Sequence, residues 1–491
     1  MKSLGTITMY YPFIDPEIRS VIESIMDDSQ TYREFTLKLG ERVCSKEVPV
    51  HLAYLAAVHS WQMAELVMIQ QIAANYHQYA IIRPWTNHQR IMEESGTMLT
   101  QIRESIEDTI NSKPEDWILA QLPQIGEGLL GFATEFTGFI EDVGKLLDNQ
   151  PDLECFKSGF HNLRCWIHTT DDDTKMAISE IELGLEIARK YDDRYRVMKL
   201  LIDFANLIKN SDVRSALNYL EKAHVICKEL DARSEESVIL NEMGLVSTIL
   251  GEYDLAIRCH LDSVHSEKRE GGTGYYAALN LSHAYRNLDD HVEALAWAES
   301  AMESADPSST IWSHLTIARS LIGLGALEKA AHHLDVSKIM SLKSGQESVL
   351  GQYYYVLGLY ELRAGDPKTA IQTLQQSLDI YQRLNILLYV IYCLLALTEA
   401  ELTIVKSSDS VMSVFSSDSW MSKLWKLAVD YDLPGIMIRH ELMRSELLLK
   451  QDQTNSAREI LENALSISNS PGVRTLREKI LIKIQMLETD L

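Results

Sequence analysis

Residues Leu240-Asn241-Glu242-Met243-Gly244, then after five more residues Leu250-Gly251-Glu252-Tyr253-Asp254-Leu255-Ala256, and finally Ser263, decide how this chain folds. They read as a helix ending near Leu250, a tight turn at Gly251-Glu252-Tyr253, and a second helix with Ala256 at its first buried position. Gly244 lets the two helices approach closely, and a side chain larger than Ala256 would push the hairpin apart. The same small residue returns at Ala177, Ala216, Ala294, Ala330, Ala370 and, after a gap, Ala457. The successive spacings are 39, 40, 38, 36, 40 and 87, and the last leaves room for one degenerate unit.

Composition points the same way. The 491 residues include only 23 Gly and 11 Pro, whereas a sandwich, barrel or doubly wound sheet needs turn chemistry at short intervals. The expected class is all-α. With Lys+Arg 46 against Asp+Glu 70, the formal charge of −24 repels phosphate backbones and anionic headgroups, so neither nucleic acid nor membrane is expected as a partner. The six cysteines at 44, 155, 165, 227, 259 and 393 lack short paired spacings. They read as free thiols packed as small hydrophobes in a reducing, cytoplasmic setting. Pro12 and Asp15 interrupt the mildly apolar start, which therefore does not read as an export signal. The run Ile386 to Val405 is long enough to span a bilayer but carries Glu399 and Glu401, and reads as a helix buried in the array.

Two further units support the repeat. One is Asn280-Leu281-Ser282, Tyr285, Ala294, Ala298, Ala301 and Pro307; the other is Leu357-Gly358, Gly365-Asp366-Pro367, Ala370, Leu374 and Ser377. On these residues the chain resembles the tetratricopeptide repeat over roughly two-thirds of its length. Its period exceeds the family's usual spacing of about 34 residues, as in the extended repeats of kinesin light chains and of the sensor arms on signal-transduction ATPases. Most units also lack the first-helix Trp and the closing Pro. The resemblance implies an α-solenoid over residues 151–491, about eight helical hairpins wound into a right-handed superhelix. The degenerate hairpin at 385–431 would have its first helix at Asn385 to Val405 and its second at Trp420 to Tyr431, with a Ser-rich connection at 407–419 between them. Residues 1–150 do not share the period. Helix starts at Asp15-Pro16-Glu17 and Ser112-Lys113-Pro114-Glu115 suggest an N-terminal helical bundle that caps the array or presents a face of its own.

Motifs that could carry chemistry are weak. Gly126-Glu127-Gly128-Leu129-Leu130-Gly131 spells a dinucleotide fingerprint but lacks a βαβ setting, and Gly144-Lys145-Leu146 lacks the Ser or Thr of a phosphate loop. His161, Cys165 and His168 share one helix face, but it is the face that packs the first hairpin, so they read as core residues. His332-His333 reads as surface, Asp171-Asp172-Asp173 as an acidic turn that starts a helix, and Thr489-Asp490-Leu491 as a chance ending. No cofactor, metal or catalytic set is expected.

The concave face is the better candidate. In the resemblance the first helix of each hairpin lines it, and counting each unit from nineteen residues before its Ala places Asn241, Tyr276, His283, Arg286, Trp312, Arg319, Gln352, Tyr355 and Arg363 there, with Asn280 close by. No position selected by that count in the four middle units is acidic. Arg286, Arg319 and Arg363 could present forked donors to carboxylates or a chain terminus, or pair with neighbouring Glu and Asp. Asn241 and Asn280 could hold peptide backbone, and Tyr276, Trp312 and Tyr355 apolar side chains. The expected function is a non-enzymatic scaffold or adaptor that holds an extended or helical segment of a protein or peptide partner. The alternative is a regulatory sensor whose bundle and array bind a signalling peptide or small effector.

Overall fold

The computed structural model describes residues 157–489 apart from 171–172, 231, 270–271, 306–308, 405–415 and 417, with isolated positions before 157. The expected N-terminal bundle, Cys44, Cys155, the Gly126 to Gly131 motif, most of the Ser-rich connection and the last two residues lie outside the described residues. Seventeen α-helices succeed one another, and no strand occurs among the described residues. They pair as α1 (Lys157–Thr170) with α2 (Thr174–Lys190), α3 (Arg194–Ile208) with α4 (Val213–Leu230), and α5 (Arg233–Leu250) with α6 (Tyr253–Arg269). There follow α7 (Tyr275–Asn287) with α8 (His291–Glu303), α9 (Thr310–Gly323) with α10 (Leu327–Ser344), and α11 (Glu347–Arg363) with α12 (Pro367–Arg383). The degenerate unit is α13 (Leu387–Ile404) with α14 (Trp420–Asp430), and α15 (Pro434–Leu449) pairs with α16 (Thr454–Ile467). Helix α17 (Arg474–Thr489) follows a single 3-10 turn at Pro471–Val473.

One local device starts the even-numbered helices. Four residues before the recurrent Ala stands an N-cap, and in every repeat carrying that Ala the Ala amide donates to the cap carbonyl, from Ala177 to Asp173 at 3.0 Å through Ala457 to Gln453 at 3.0 Å. At Asp173, Asp212, Asp290 and Asp366 the cap carboxylate also accepts the backbone N–H three residues on, satisfying a donor the helix itself cannot pair. Each of the seven alanines is fully buried. Seven residues further the helix is small again, with Ala223, Ser263, Ala301, Ser337, Ser377 and Ala464 buried. Both residues lie on the face toward the first helix, two turns apart. The close approach is tight at Gly244, where a Cβ would come within 2.5 Å of the His260 ring, and at Gly358, where it would come within 2.6 Å of Leu374.

The chain forms two compact bodies. Among the described residues, the first comprises those up to 207 with 218–239 and 266–272, and the second those of 208–217, 240–265 and 273–489. In the first, buried Glu180 gathers His161 at 2.7 Å and Arg164 at 2.9 Å, and Cys165 is buried among core residues. The helix face bearing His161, Cys165 and His168 is thus a packing face. Cys227, Cys259 and Cys393 are likewise buried, and none of them is in a disulfide. In the second body α13 is the apolar helix long enough to cross a membrane by length and composition, and two-thirds of its apolar window is covered by protein. His333 departs from expectation. Its ring is half-buried, with Nδ1 2.8 Å from Nδ1 of His314, and burial holds its pKa down to about 4; only His332 is exposed.

Candidate functional site: a cationic cavity inside the second body

Within the second body the later hairpins meet the earlier ones. The α5–α6 turn takes a left-handed backbone at Gly251 (φ +75) and lies directly on Gly435 at the start of α15, where a Cβ on Gly435 would fall 2.2 Å from the Gly251 carbonyl oxygen. Ser470 donates to Glu252 at 3.0 Å and the Thr475 hydroxyl to Asp254 at 2.6 Å. Lys479 on α17 reaches Asp289 at 2.5 Å and the Leu288 carbonyl at 2.9 Å. The backbone N–H of Leu387 donates to Asn210 at 3.2 Å. These contacts span up to 221 residues of sequence.

The closure leaves a cavity of about 480 Å³. Odd-numbered helices line it, each with residues three or four apart on one face: Tyr355, Leu359 and Arg363 from α11; Tyr392, Leu395, Glu399 and Thr403 from α13; Arg439, Leu442 and Glu446 from α15. Six cations and three carboxylates line it. Each carboxylate already has its own cation: Asp289 has Lys479 at 2.5 Å, Glu399 has Arg363 at 3.6 Å and Glu446 has Lys483 at 2.7 Å. Arg319, Arg439 and Lys450 also line the cavity, and among the described residues none of them has a carboxylate within ion-pair distance.

Arg319 is 5% exposed, and its guanidinium carbon lies 4.6 Å from the ring centre of Tyr355 and 4.4 Å from that of Tyr392. The two rings are near parallel, 18° apart. Arg439 donates to Asn287 Oδ1 at 3.0 Å, while Asn287 Nδ2 donates to the Tyr392 hydroxyl at 2.9 Å and to the His283 carbonyl at 2.9 Å. All the partners of this network are uncharged. Arg286 is buried in the electrostatic neighbourhood of Arg319, Tyr392, Tyr355 and Tyr389, and none of its three nitrogens has a hydrogen-bond partner. Burial, then the charge on Arg319, lowers its pKa to about 9, so it remains a cation at neutral pH. Burial, then Arg286 and Arg319, holds His283 neutral, well below the ordinary histidine range. Burial raises the Tyr355 hydroxyl to about 12.

No protein-family model and no curated protein matches the sequence. Among solved structures the chain is similar to a signal-transduction ATPase with numerous domains from Pyrococcus horikoshii that has a tetratricopeptide repeat sensor, with 15% identity, a TM-score of 0.45, 74% of this chain and 55% of that one covered. It is similar to Rap protein complexed with competence and sporulation factor, with 12% identity, a TM-score of 0.40, 68% and 98% covered. It is also similar to yeast Tom70, with 10% identity, a TM-score of 0.33, 96% and 95% covered. The matched region spans about half the length of the first of these. The hairpins themselves, with their buried Ala ladder, establish the architecture. The fold is a tetratricopeptide-like helical array.

In this tetratricopeptide-like array, Arg319, Tyr355 and Arg363 line the cavity. Arg363 takes the pairing alternative, with Glu399. Arg286, His283 and Gln352 are buried, and the Gln352 side-chain oxygen has no partner. Asn241 and Asn280, expected to hold peptide backbone, hold each other: Asn280 Nδ2 donates to Asn241 Oδ1 at 3.0 Å, and His260 Nδ1 lies 3.1 Å from the same oxygen. Tyr276 is half-exposed beside Tyr275, and Trp312 packs on the core around Tyr275 and Leu279.

None of the expected site residues lies on α13, α15 or α17. The signal was present for α15: the offsets from Ala that select Tyr276, His283 and Asn287, applied to Ala457, select Arg439, Glu446 and Lys450, all in the cavity wall. They also bring in Glu446, so the absence of acid in the four middle units does not extend to the whole wall. For α13 no Ala set the register.

Proposed function

We propose that this protein is a non-enzymatic binding protein whose second body takes a short acidic segment of a protein or peptide partner into its inner cavity. The observation that carries the reading is the cavity wall: three cations without carboxylates, in a chain of net charge −24. Such a wall attracts anions locally against the field of the whole molecule. The volume of about 480 Å³ lies in the range of small-ligand sites, about 300–1,000 Å³. A helix about 10–12 Å across with its side chains does not fit it, so the segment enters extended, by a chain end or a tight loop. Cytoplasmic residence, and an N-terminal bundle over residues 1–150 that caps the array or adds a second face, belong to the same proposal.

The test is capture of partners by the full-length protein and by its Arg363→Glu/Lys450→Glu variant, at positions exposed enough to tolerate change. The variant is expected to keep its helical spectrum and to lose the partner by about tenfold or more. Undiminished capture by the variant would reject the cavity as the site. Fractionation of intact cells checks the location.

The second reading, a sensor of a small effector, is favoured by one observation: the deepest cations, Arg319 and Arg286, lie where little of a polypeptide would reach.

A further inference from the structure

We infer that the inner end of this cavity is an oxyanion site, in which Arg319, with Arg439 lining the same space, holds the carboxylate or phosphate of a small organic anion with a short apolar body. The inference rests on the cavity being the binding site and names the chemistry recognised there.

A guanidinium carries five N–H groups, and when removed from water it needs oxygen acceptors or an anion. Arg319 is nine-tenths buried, faces the cavity, and has two tyrosine rings as neighbours, and its Nη1 has no hydrogen-bond partner. The rings satisfy the face of the cation and not its edge. Arg286 adds a second buried positive charge with no partner at any nitrogen. The carboxylates of the cavity wall are already paired, with Lys479, Arg363 and Lys483. An anion from outside is what the arrangement lacks, and a planar or tetrahedral oxyanion suits the forked edge of an arginine. Leu359, Leu395 and Leu442 line the same space, which gives the ligand its apolar portion. Carboxylate and phosphate share this chemistry, and the experiment separates them.

The test uses the full-length protein in low-chloride buffer with three probes of matched length: hexanoate, hexyl phosphate and the neutral hexanamide. Calorimetric titration and thermal unfolding are expected to show binding and a rise in Tm with the anions and neither with the amide. The anion with the greater affinity names the source. Arg319→Gln is expected to weaken the anion by about tenfold or more, as for a charge-assisted pair. Arg439→Gln, on a less buried residue, serves if Arg319→Gln fails to fold, and is expected to weaken the anion in the same direction. Equal behaviour of amide and anions overturns the oxyanion site, as does full-strength anion binding in the folded variants. If partner capture falls in the Arg363→Glu/Lys450→Glu variant while no probe binds, this inference fails and the proposed function stands.

Discussion

Gly244 and His260 show how one atom sets the spacing of a hairpin. The imidazole of His260 occupies the space above Gly244, and a methyl group there would lie 2.5 Å from the ring. Gly244→Ala is therefore expected to lower stability by about 1–3 kcal/mol through overpacking, despite the better helix propensity of Ala; chemical denaturation measures it. The same histidine predicts a pH dependence. Burial holds His260 down to about 3 from its ordinary 6.5, so between these values the unfolded chain binds a proton that the native state refuses. The His260 contribution is complete above pH 6.5 and is lost as pH falls toward 3, about 2 kcal/mol between pH 7 and pH 5. Asp193, raised by burial to about 6, runs the other way. The measurement is thus the difference in urea stability between wild type and His260→Gln at the two pH values. The variant is expected to lose less stability on acidification, and equal losses would show that His260 does not titrate as its burial requires.

Five of the even-numbered helices, α2, α4, α6, α8 and α12, begin where an acid stands four residues before a buried Ala. Asp290 illustrates the element: its carboxylate accepts the Glu293 amide at 3.1 Å, and its carbonyl accepts the Ala294 amide at 3.0 Å. Asp290→Ala is expected to cost about 1 kcal/mol, and hydrogen exchange is expected to quicken mainly at the amides of the first turn of α8. This cap is visible in the sequence at Asp173, Asp212, Asp290 and Asp366, as is the Ala ladder. The hairpins were therefore legible locally, including the degenerate one, expected at Asn385 to Val405 and Trp420 to Tyr431 and found at Leu387–Ile404 and Trp420–Asp430. What the helical period could not say is which polar residues on the inner stripe would find partners. Asn241 and Asn280 engage each other because two successive odd-numbered helices lie side by side, and His333 is half-buried because His314 stands opposite it.

Closure belongs to the assembled second body. Gly251 and Gly435 touch backbone to backbone, and neither position has room for a Cβ. Gly435→Ala is expected to push α15 off the α5–α6 turn, lower Tm cooperatively and widen the cavity, with little change in helical content because each hairpin keeps its own core. Circular dichroism at low temperature, read beside the melting curve, checks both parts. Tyr392→Phe is a milder probe: it removes the hydroxyl that accepts from Asn287 and leaves a buried donor, at a cost of about 1–3 kcal/mol. It is expected to loosen Asn287 and, through it, Arg439.

The chain's amino-acid order alone determined the all-α class, the period, the turn positions and the buried Ala and Gly at the helix crossings, because each depends on contacts within about forty residues. It also marked Arg319, Tyr355 and Arg363 as inner-face residues. Only the tertiary structure decided that Tyr392, Arg439 and Lys479 come to the same space, that Arg363 is paired while Arg319 is not, and that the inner wall forms a half-open cavity of about 480 Å³. The reason is physical: small rotations between successive hairpins accumulate along the array. Whether its later turns meet the earlier ones depends on that sum, which no single repeat encodes.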